Sequence, residues 1–380
     1  MTFCRRSLAL VFAAGISACQ TLPDRHPCLQ AEKDSETPCR PFRAGVVKFN
    51  PALDAIKPLA TIDAGGWVSN GSLIFGSPDD RWLGAFKLDS YDPQWFHPLT
   101  DAPSAPMSIH GDQVIVGLRD GKLLSVDVSD GSLKWSQNLG RFISRPLAFA
   151  GNTIVAVNVD QQVFGLDSET GNRKWVYDAG RPSSLVVQGA AAPIISGQQI
   201  LLGTANGEIH SIDLTTGRVN WKHSPRFSEF RFRDVVGQLA VFNQSLLAAR
   251  YDGKLMALDI GNASSRVVWE NDFSSITSTA FRDGILYVGL LNGDVIAVNA
   301  SNGKQIWKTQ TGETVYSLTT GESTLYVGGS DGRISALANR DGLLLWHDDL
   351  QGSLTQAPLL VDGLLYFATG LKVLYAYKIL

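Results

Sequence analysis

The side chains that most often bind metals or carry out catalysis are few and widely separated in this chain of 380 residues. Its six histidines, at positions 26, 97, 110, 210, 223 and 347, include no pair at i and i+4, and only His26 has a cysteine nearby, Cys28. Zinc and haem sites need closely spaced His and Cys ligands. The sequence therefore predicts neither a metal site nor a cofactor.

One catalytic pattern is present, a G-x-S-x-G motif at residues 328–332. In hydrolases this motif exposes a nucleophilic serine on a sharp turn between a strand and a helix. Here it occupies the same place in a repeat as residues 289–293, where the pattern indicates the turn of a β-hairpin. We therefore expect a hairpin at Ser330, and we assign no catalytic residue and no enzymatic activity to the chain.

The distribution of charge argues against a nucleic-acid partner. The formal net charge is −3, the basic residues are scattered, and the phosphate-binding pattern G-x-x-x-x-G-K-[ST] is absent. Nucleic-acid-binding proteins instead concentrate Lys and Arg on one surface. Arg226, Arg231 and Arg233 form the one local basic group, which could be a solvated loop or part of an interaction surface.

Seven tryptophans define an internal repeat. They stand 38 to 48 residues apart, at Trp95, Trp135, Trp175, Trp221, Trp269, Trp307 and Trp346. Several of them end the phrase Asp-x-x-x-Gly-x-x-x-Trp, as in Asp127 to Trp135. In this phrase the Asp side chain can hydrogen-bond turn amides, and Gly supplies the positive φ that leads into the next strand. A repeat of this length indicates stacked or radial copies of one unit.

A second turn signal, Asx-Gly between alternating apolar runs, recurs earlier in the repeat. It stands at Asp120-Gly121, Asn206-Gly207, Asp252-Gly253, Asn292-Gly293 and Asp331-Gly332. With its flanking runs it gives four short strands in each unit, which is one propeller blade. We therefore predict an all-β fold, an eight-bladed β-propeller with four-stranded antiparallel blades, and keep a β-solenoid as the alternative. Docking of blades is assigned to the large apolar faces of the repeat tryptophans, at Trp135, Trp175, Trp221, Trp269, Trp307 and Trp346.

The two ends of the chain are expected to close this ring. Residues 353–380 supply three strands without a tryptophan, so the last blade lacks its outer strand. The apolar segment 45–49 lies just ahead of the first blade and can provide that strand. Pairing of the N- and C-terminal strands would leave no open junction in the ring. We therefore expect the propeller to span residues 44–380.

The N-terminus has the features of an export signal. Arg5 and Arg6 precede a short apolar stretch, too short for an ordinary membrane span, that ends at Ile16-Ser17-Ala18-Cys19. These four residues resemble the lipobox of bacterial lipoproteins, which implies cleavage after residue 18 and acylation of Cys19. An ordinary signal peptide with a chance cysteine is the alternative. Gln20 follows the cysteine, and by the enterobacterial sorting rule this implies the outer membrane.

Residues 19–43 are predicted to form a tether between the lipid anchor and the propeller. Four prolines stand among charged and polar residues there, with no sustained apolar period. Once Cys4 is removed and Cys19 is acylated, Cys28 and Cys39 are the remaining thiols in an oxidising compartment. These two cysteines could form a disulfide, remain apart, or pair with another molecule.

The Asp-x-x-x-Gly-x-x-x-Trp phrase resembles the repeats of pyrroloquinoline-quinone (PQQ) enzymes, whose propellers are also eight-bladed. Those dehydrogenases are usually much longer, carry an adjacent Cys-Cys pair, and place Ca²⁺ and a catalytic Asp in the channel. This chain has no adjacent cysteines and no added domain. The resemblance therefore extends to the repeat and not to quinone binding.

A lipoprotein tether followed by eight such blades is similar to the outer-membrane assembly factor BamB family over nearly the whole chain. Two stretches carry the closer match. Ser144-Arg145-Pro146-Leu147 opens the third blade much as in the family, and residues 182–193 resemble the family's Pro-Ser-Leu-Ser-Leu-Arg-Gly-Glu-Ser-Ala-Pro segment. The resemblance implies a noncatalytic scaffold in the BAM complex, bound to its barrel-assembly protein and acting as a monomer within that hetero-complex. By position it implies these partner-binding residues: Leu185, Val187, Gln188, Arg231, Arg233 and Asp234.

The match departs from the family at charged positions of this surface. Gln188 replaces the family's arginine, and Val236 replaces one aspartate of an acidic loop. We expect an apolar centre at Leu185 and Val187 with a charged rim. Two alternatives remain, which are a ligand-binding or sensory propeller of another envelope complex and a PQQ-dependent enzyme.

Overall fold

A computed structural model describes the chain at residues 42–48, 67–69, 71–77, 81–87, 92–181, 191–224, 232–261, 265–354, 357–361, 364–369 and 373–378. All regular elements in these ranges are β-strands. None of these residues belongs to a helix long and apolar enough to cross a membrane.

Seven antiparallel sheets are each built from four strands that follow one another in the chain. The strand before them is β1 (Phe42–Lys48). Sheet 1 contains β2 (Trp67–Ser69), β3 (Ser72–Ser77), β4 (Trp82–Lys87) and β5 (Pro93–Pro98). Sheet 2 contains β6 (Ser108–His110), β7 (Gln113–Gly117), β8 (Lys122–Asp127) and β9 (Leu133–Asn138). Sheet 3 contains β10 (Ala148–Ala150), β11 (Thr153–Val157), β12 (Gln162–Asp167) and β13 (Arg173–Asp178).

The remaining sheets repeat this arrangement to the end of the chain. Sheet 4 contains β14 (Ile194–Ser196), β15 (Gln199–Gly203), β16 (Ile209–Asp213) and β17 (Val219–His223). Sheet 5 contains β18 (Val235–Phe242), β19 (Ser245–Arg250), β20 (Lys254–Asp259) and β21 (Arg266–Asp272). Sheet 6 contains β22 (Ile276–Arg282), β23 (Ile285–Leu290), β24 (Asp294–Asn299) and β25 (Gln305–Gln310). Sheet 7 contains β26 (Val315–Thr320), β27 (Thr324–Gly329), β28 (Arg333–Ala338) and β29 (Leu344–Asp349).

The eighth sheet combines both ends of the chain. It contains β30 (Leu359–Val361), β31 (Leu364–Thr369) and β32 (Val373–Lys378), with β1 as its fourth strand in the order β1-β32-β31-β30. β1 pairs antiparallel with β32, from Phe42 opposite Lys378 to Lys48 opposite Val373. It begins at residue 42, inside the segment predicted to be tether, so the two C-terminal residues of that segment belong to the sheet.

The core lies between neighbouring sheets and not within any one of them. The middle strands are buried on both faces, and Val114, Ile115 and Val116 of β7 are each 0% exposed. A strand covered on both sides must be apolar at successive positions, which explains the continuous apolar runs of the repeat. First strands of adjacent sheets contact each other, for example β18 with β22 and β22 with β26.

Every repeat tryptophan lies on the fourth strand of its sheet, opposite a small residue of the third. The opposing residues are Ala85, Ser125, Gly165, Ser211, Ala257, Ala297 and Ala336. At Gly165 a β-carbon would lie 2.1 Å from an indole atom of Trp175. The register of the strand pair shifts directly after each opposing residue. Small partners and this recurring bulge together make room for the indole beside the third strand.

The glycine of the Asp-x-x-x-Gly-x-x-x-Trp phrase packs against the tryptophan of the preceding sheet. The indole nitrogen of Trp135 donates a hydrogen bond to the carbonyl of Ser168 at 3.0 Å. Gly171 has φ +71°, and a β-carbon there would lie 2.4 Å from Cε3 of Trp135. The same pairing joins Trp95 to Gly131, Trp175 to Gly217, Trp269 to Gly303, and Trp307 to Gly342. Glycine is therefore needed both for the turn and for the space occupied by the indole.

Two tryptophans use other surfaces. Trp221 packs in a cluster with Val235 and Leu258 of sheet 5 and with Ile260, which follows β20. Trp346 stacks on the ring of Tyr377 in sheet 8, with centroids 5.7 Å apart and an interplanar angle of 18°. In both cases the tryptophan still contacts the following sheet. Docking by tryptophan thus persists where the glycine phrase is altered or missing.

We expect Gly171→Ala to destabilise the protein more than Gly151→Ala does. Both glycines have positive φ, so a β-carbon strains either backbone by roughly 1 kcal/mol. No atom lies within 4 Å of a β-carbon at Gly151, whereas one at Gly171 would overlap the Trp135 indole and add about 1–3 kcal/mol. Urea denaturation of both variants measures the difference. Equal losses would show that Gly171 serves the turn alone.

Candidate functional site

The predicted partner-binding residues divide into two groups. Arg233 and Asp234 lie in the described part of the chain, just ahead of β18. Leu185, Val187, Gln188 and Arg231 fall in segments 182–190 and 225–231, outside the described residues. The proposed lipid attachment site and disulfide, Cys19, Cys28 and Cys39, also fall outside them. The geometry of the site is therefore that of the described residues around these segments.

Two kinds of loop meet at one end of the sheets, which we call the loop face. They are the turns between second and third strands and the connections from each fourth strand to the next sheet. Backbone hydrogen bonds join them, such as Tyr251 N to the Asp234 carbonyl at 2.9 Å. Val159 N likewise donates to the Phe142 carbonyl at 3.1 Å. Segments 182–190 and 225–231 interrupt two of the connections of this face.

Four buried charged side chains lie beneath the loop face between sheets 3 and 5. Arg250 and Asp252 form an ion pair whose side chains are 3% and 2% exposed. Arg145 is 8% exposed and donates a hydrogen bond from Nη1 to the carbonyl of Ala191 at 3.3 Å. Asp234 is 1% exposed. This arginine–aspartate cluster is balanced in charge, and it fixes the connections that border both undescribed segments.

The cluster corrects the expectation that Asp234 contributes to an exposed charged rim. Burial lowers the pKa of Arg145 to about 10, and the negative charge of Asp234 opposes that shift. A buried charge is costly unless an opposite charge compensates it, so Asp234 has an interior electrostatic role. The acidic-loop resemblance identified its position but not its burial. The sequence did contain one sign that Asp234 has a buried partner, because Arg145 stands beside an apolar run.

Arg233 lies at the surface of the loop face, directly above the cluster. Its side chain is half-buried, and its positive charge helps to lower the pKa of Arg250, for which burial is the larger cause. The ring of the preceding residue, Phe232, meets Tyr251 edge-on with centroids 6.4 Å apart. At Gly207 a β-carbon would lie 2.7 Å from the Arg233 carbonyl, so the approach of this loop requires glycine. Aromatic rings and a guanidinium are side chains that often dominate the energetics of protein interfaces.

Exposed apolar residues extend the same face across sheets 6 and 7. Leu291 is 45% exposed in the turn after β23, and Tyr316 is 42% exposed in β26. The two positions are close in the backbone, because the Thr314 hydroxyl donates to the Leu291 carbonyl at 2.8 Å. Neither residue is distinguished by the repeat phrase, which identifies buried positions and turns. Sequence reasoning therefore missed both.

A hydrogen-bonded chain of polar side chains connects sheets 3 and 4. The Tyr177 hydroxyl lies 3.0 Å from His210 Nδ1, and His210 Nε2 lies 3.0 Å from Glu208 Oε2. Ser224 donates to the other Glu208 oxygen at 2.9 Å. Burial lowers the pKa of His210, whose side chain is 0% exposed. The imidazole is therefore enclosed between two sheets, which it bridges through its hydrogen bonds.

The remaining chemical motif has the local structure expected of a hairpin. Ser330 stands in the turn between β27 and β28, and its backbone NH donates to the Thr314 carbonyl at 3.0 Å. A nucleophile elbow requires a helix after the turn, whereas a strand follows here. Within the described ranges, no three His, Cys, Asp or Glu side chains are grouped so as to hold a metal ion.

Comparison with known proteins gives a consistent family. The family model described as "Outer membrane protein assembly factor BamB", of the PQQ_2 type, matches residues 79–309 and 291–380. A protein of that name from Salmonella typhimurium is 30% identical over 295 residues, covering 74% of this chain and 73% of the relative. The Pseudomonas aeruginosa protein of that name is 26% identical over 209 residues, which is 51% of this chain and about half, 53%, of the relative.

A solved structure of a protein with the same name has a similar fold. The crystal structure of BamB from Moraxella catarrhalis superposes with a TM-score of 0.74 at 22% identity, covering 88% of this chain and 100% of the other. Likeness at this identity shows a shared propeller-like, all-β fold. The family model itself covers well over half of the sequence. The chain therefore belongs to the outer membrane protein assembly factor BamB family.

Proposed function

We propose that this protein is a noncatalytic scaffold of outer-membrane β-barrel assembly. In this proposal it binds the barrel-assembly protein of the BAM complex through its loop face, as a monomer within the hetero-complex. Family membership supports the process, since relatives are named outer membrane protein assembly factors. The residues we assign to the contact are Leu185, Val187, Gln188, Arg231 and Arg233, with Asp234 acting from beneath the surface.

The observation that carries the proposal is the construction of the loop face. The side chains of Arg145, Asp234, Arg250 and Asp252 are buried beneath it, while Phe232, Arg233 and Tyr251 remain partly exposed. A surface held by an ion pair and backbone hydrogen bonds loses little conformational freedom on binding. Such a surface suits a scaffold, because rigid placement of a partner is what a scaffold contributes.

We further propose that the eight sheets are eight blades of a closed ring. β1 would close it by completing the last blade, as its pairing with β32 suggests. Tyr366 of sheet 8 is 4% exposed and belongs to the same apolar cluster as Leu73 and Leu83 of sheet 1. Packing between the last sheet and the first is what ring closure requires. A closed ring also removes the free sheet edge that would invite aggregation.

Anchorage at the outer membrane completes the proposal. Residues 1–18 would be removed as a lipoprotein signal peptide, and Cys19 would carry the acyl chains at the periplasmic face. The segment from Cys19 to β1 would act as a tether, and Cys28 and Cys39 could form a disulfide within it. No cofactor is needed for this function.

Affinity copurification tests the proposed function. The full chain, tagged at its C-terminus, is isolated from detergent-solubilised membranes, and bound proteins are identified by mass spectrometry. We expect the barrel-assembly protein to copurify. Replacing Leu185 with Ala and Arg233 with Glu should reduce its recovery while the melting temperature stays nearly unchanged.

A matched variant and three outcomes make this test decisive. Arg266→Glu changes another arginine, 76% exposed on β21, and should leave recovery unchanged. Recovery of an unrelated envelope complex or a glycan would favour the sensory propeller instead. Binding of quinone and Ca²⁺ would favour an enzyme. Normal recovery with the Leu185 and Arg233 variant would move the contact to another face.

A further inference from the structure

Three exposed arginines stand in adjoining loops on the loop face of sheets 2 and 3, and we call them the basic arc: Arg119, Arg141 and Arg181. Contacts between the loop backbones bring these positions together. Arg119 stands two residues before Gly121, where a β-carbon would lie 3.0 Å from the Arg141 nitrogen. Arg181 follows Gly180, whose carbonyl accepts a hydrogen bond from Gln161 Nε2 at 2.7 Å. The arc is thus continuous from sheet 2 to the start of segment 182–190.

One carboxylate forms ion pairs with two of these arginines. Nε of Arg141 lies 3.7 Å and Nη2 of Arg181 lies 3.4 Å from the same oxygen, Oδ2 of Asp160. The arginine side chains are 59% and 80% exposed. Neither guanidinium makes a hydrogen bond to another described residue of the protein. Each guanidinium has five N–H donors, so most of the donor capacity at this point faces solvent.

Two neighbouring carboxylates have other partners. Asp120 lies 2.9 Å from Lys122 Nζ and also accepts a hydrogen bond from Thr100. Asp178 accepts the backbone NH of Gly180 at 2.9 Å, and no ion pair joins it to an arginine of the described chain. Arg119 likewise has no ion pair within the described residues. Asp160 is therefore the one carboxylate of the described chain that forms ion pairs with the arc, so its single charge is shared between two guanidiniums.

We propose that the basic arc binds an acidic segment of the partner protein, with Arg141 and Arg181 holding its carboxylates. The inference rests on the proposed function for the identity of that partner. A guanidinium binds a carboxylate through two parallel N–H donors, and two adjacent guanidiniums can hold one or two carboxylates in a fixed orientation. The half-buried ring of Phe142 lies next to Arg141 and offers apolar contact to the same segment.

The size of the arc favours a protein segment over a membrane surface. Attraction to anionic lipids is worth about 1 kcal/mol per basic residue, and lipid-binding clusters contain roughly 4–8 Lys or Arg. The arc has three arginines and includes the negative charge of Asp160. A fixed guanidinium pair recognises individual carboxylates better than it recognises a diffuse field, since its donors have a definite direction.

A labelled hexaglutamate peptide tests this surface without the natural partner. Binding to the full chain in detergent is measured by fluorescence anisotropy at low ionic strength. We expect Arg141→Glu combined with Arg181→Glu to weaken binding about tenfold or more. The matched control is Arg266→Glu combined with Arg340→Glu, which reverses two exposed arginines that also stand beside aspartates. This control should bind as the wild type does, and added salt should weaken binding in both.

Asp160→Asn separates partner binding from a structural role of the arginines. If the arginines bind an external carboxylate, removing the competing charge of Asp160 should strengthen peptide binding severalfold. If the arginines serve only to hold Asp160 in place, Asp160→Asn should weaken peptide binding in the same way as the double arginine variant does. Melting temperatures of all variants are compared to show that each is folded.

Four results would overturn the inference, and three of them come from the binding assays. These are equal peptide binding by the wild type and the double variant, weaker binding by Asp160→Asn, and binding to phosphatidylglycerol vesicles but not to peptide. Copurification of the barrel-assembly protein is measured separately with the same variants. Loss of peptide binding with normal copurification would leave the proposed function intact and assign the arc to a different acidic partner, against the inference.

Discussion

Replacing Trp175 with Ala is expected to cause the largest loss of stability among substitutions of a single side chain. Trp175 is 9% exposed, donates a hydrogen bond to the Leu214 carbonyl at 3.0 Å, and lies against Gly217 of the next sheet. Truncating a buried tryptophan typically costs about 3–5 kcal/mol. Because Gly165 and Gly217 have no side chains to fill the space, little relaxation can offset the cavity. Chemical denaturation measures the change in unfolding free energy.

Val176→Ala is the matched control for this substitution. Val176 is the next residue of the same strand, and it is 50% exposed. Its truncation should change the unfolding free energy by less than about 0.5 kcal/mol. A comparable loss in both variants would mean that the strand is sensitive at any position. A small loss at Trp175 would contradict the docking of sheets by tryptophan.

Asp252→Ala is expected to destabilise the protein by about 3–5 kcal/mol, because it leaves Arg250 buried without its opposite charge. Arg250 is 3% exposed, and burial already lowers its pKa while Asp252 opposes that shift. Urea denaturation provides the measurement. The loop face above the pair should loosen as well, since Tyr251 and Arg250 belong to the same turn and strand. Weaker copurification of the partner would follow.

A second substitution identifies the cause of that loss. Combining Asp252→Ala with Arg250→Met removes the unpaired charge and leaves an apolar side chain, so most of the stability should return. Asp341→Ala breaks an exposed pair with Arg340 and should leave the melting temperature essentially unchanged. If the double variant is no more stable than Asp252→Ala, the buried charge is not the reason.

The repeat could be predicted from the sequence because each copy must leave space for the indole of a tryptophan. Trp135 needs a small residue opposite it, Ser125, and a glycine in the following sheet, Gly171. Both requirements place particular residue types at fixed positions in each repeat, and these positions can be recognised in the sequence. These recurring residues predict the strands, their order within the seven consecutive sheets, and the places of the turns. The contact between one sheet's tryptophan and the next sheet's glycine was not predicted, because the phrase alone does not show which copies touch.

The charged groups of the loop face could not be predicted in the same way. Asp120 and Asp252 occupy the same Asx-Gly turn position, yet their side chains are 27% and 2% exposed. The difference comes from Arg250, whose own buried position depends on the neighbouring sheets. Asp234 and the basic arc are further cases, since burial and pairing are set by contacts between sheets that sequence spacing does not encode.

The most direct test of the central claim is photo-crosslinking from the loop face in intact cells. A benzophenone amino acid replaces Tyr251 in the full chain, and in a second variant it replaces Asn302, an exposed turn residue at the opposite end of the sheets. We expect position 251 to crosslink to the barrel-assembly protein and position 302 to give no such product. Crosslinking from 302 but not from 251, or to a different protein from 251, would contradict the account.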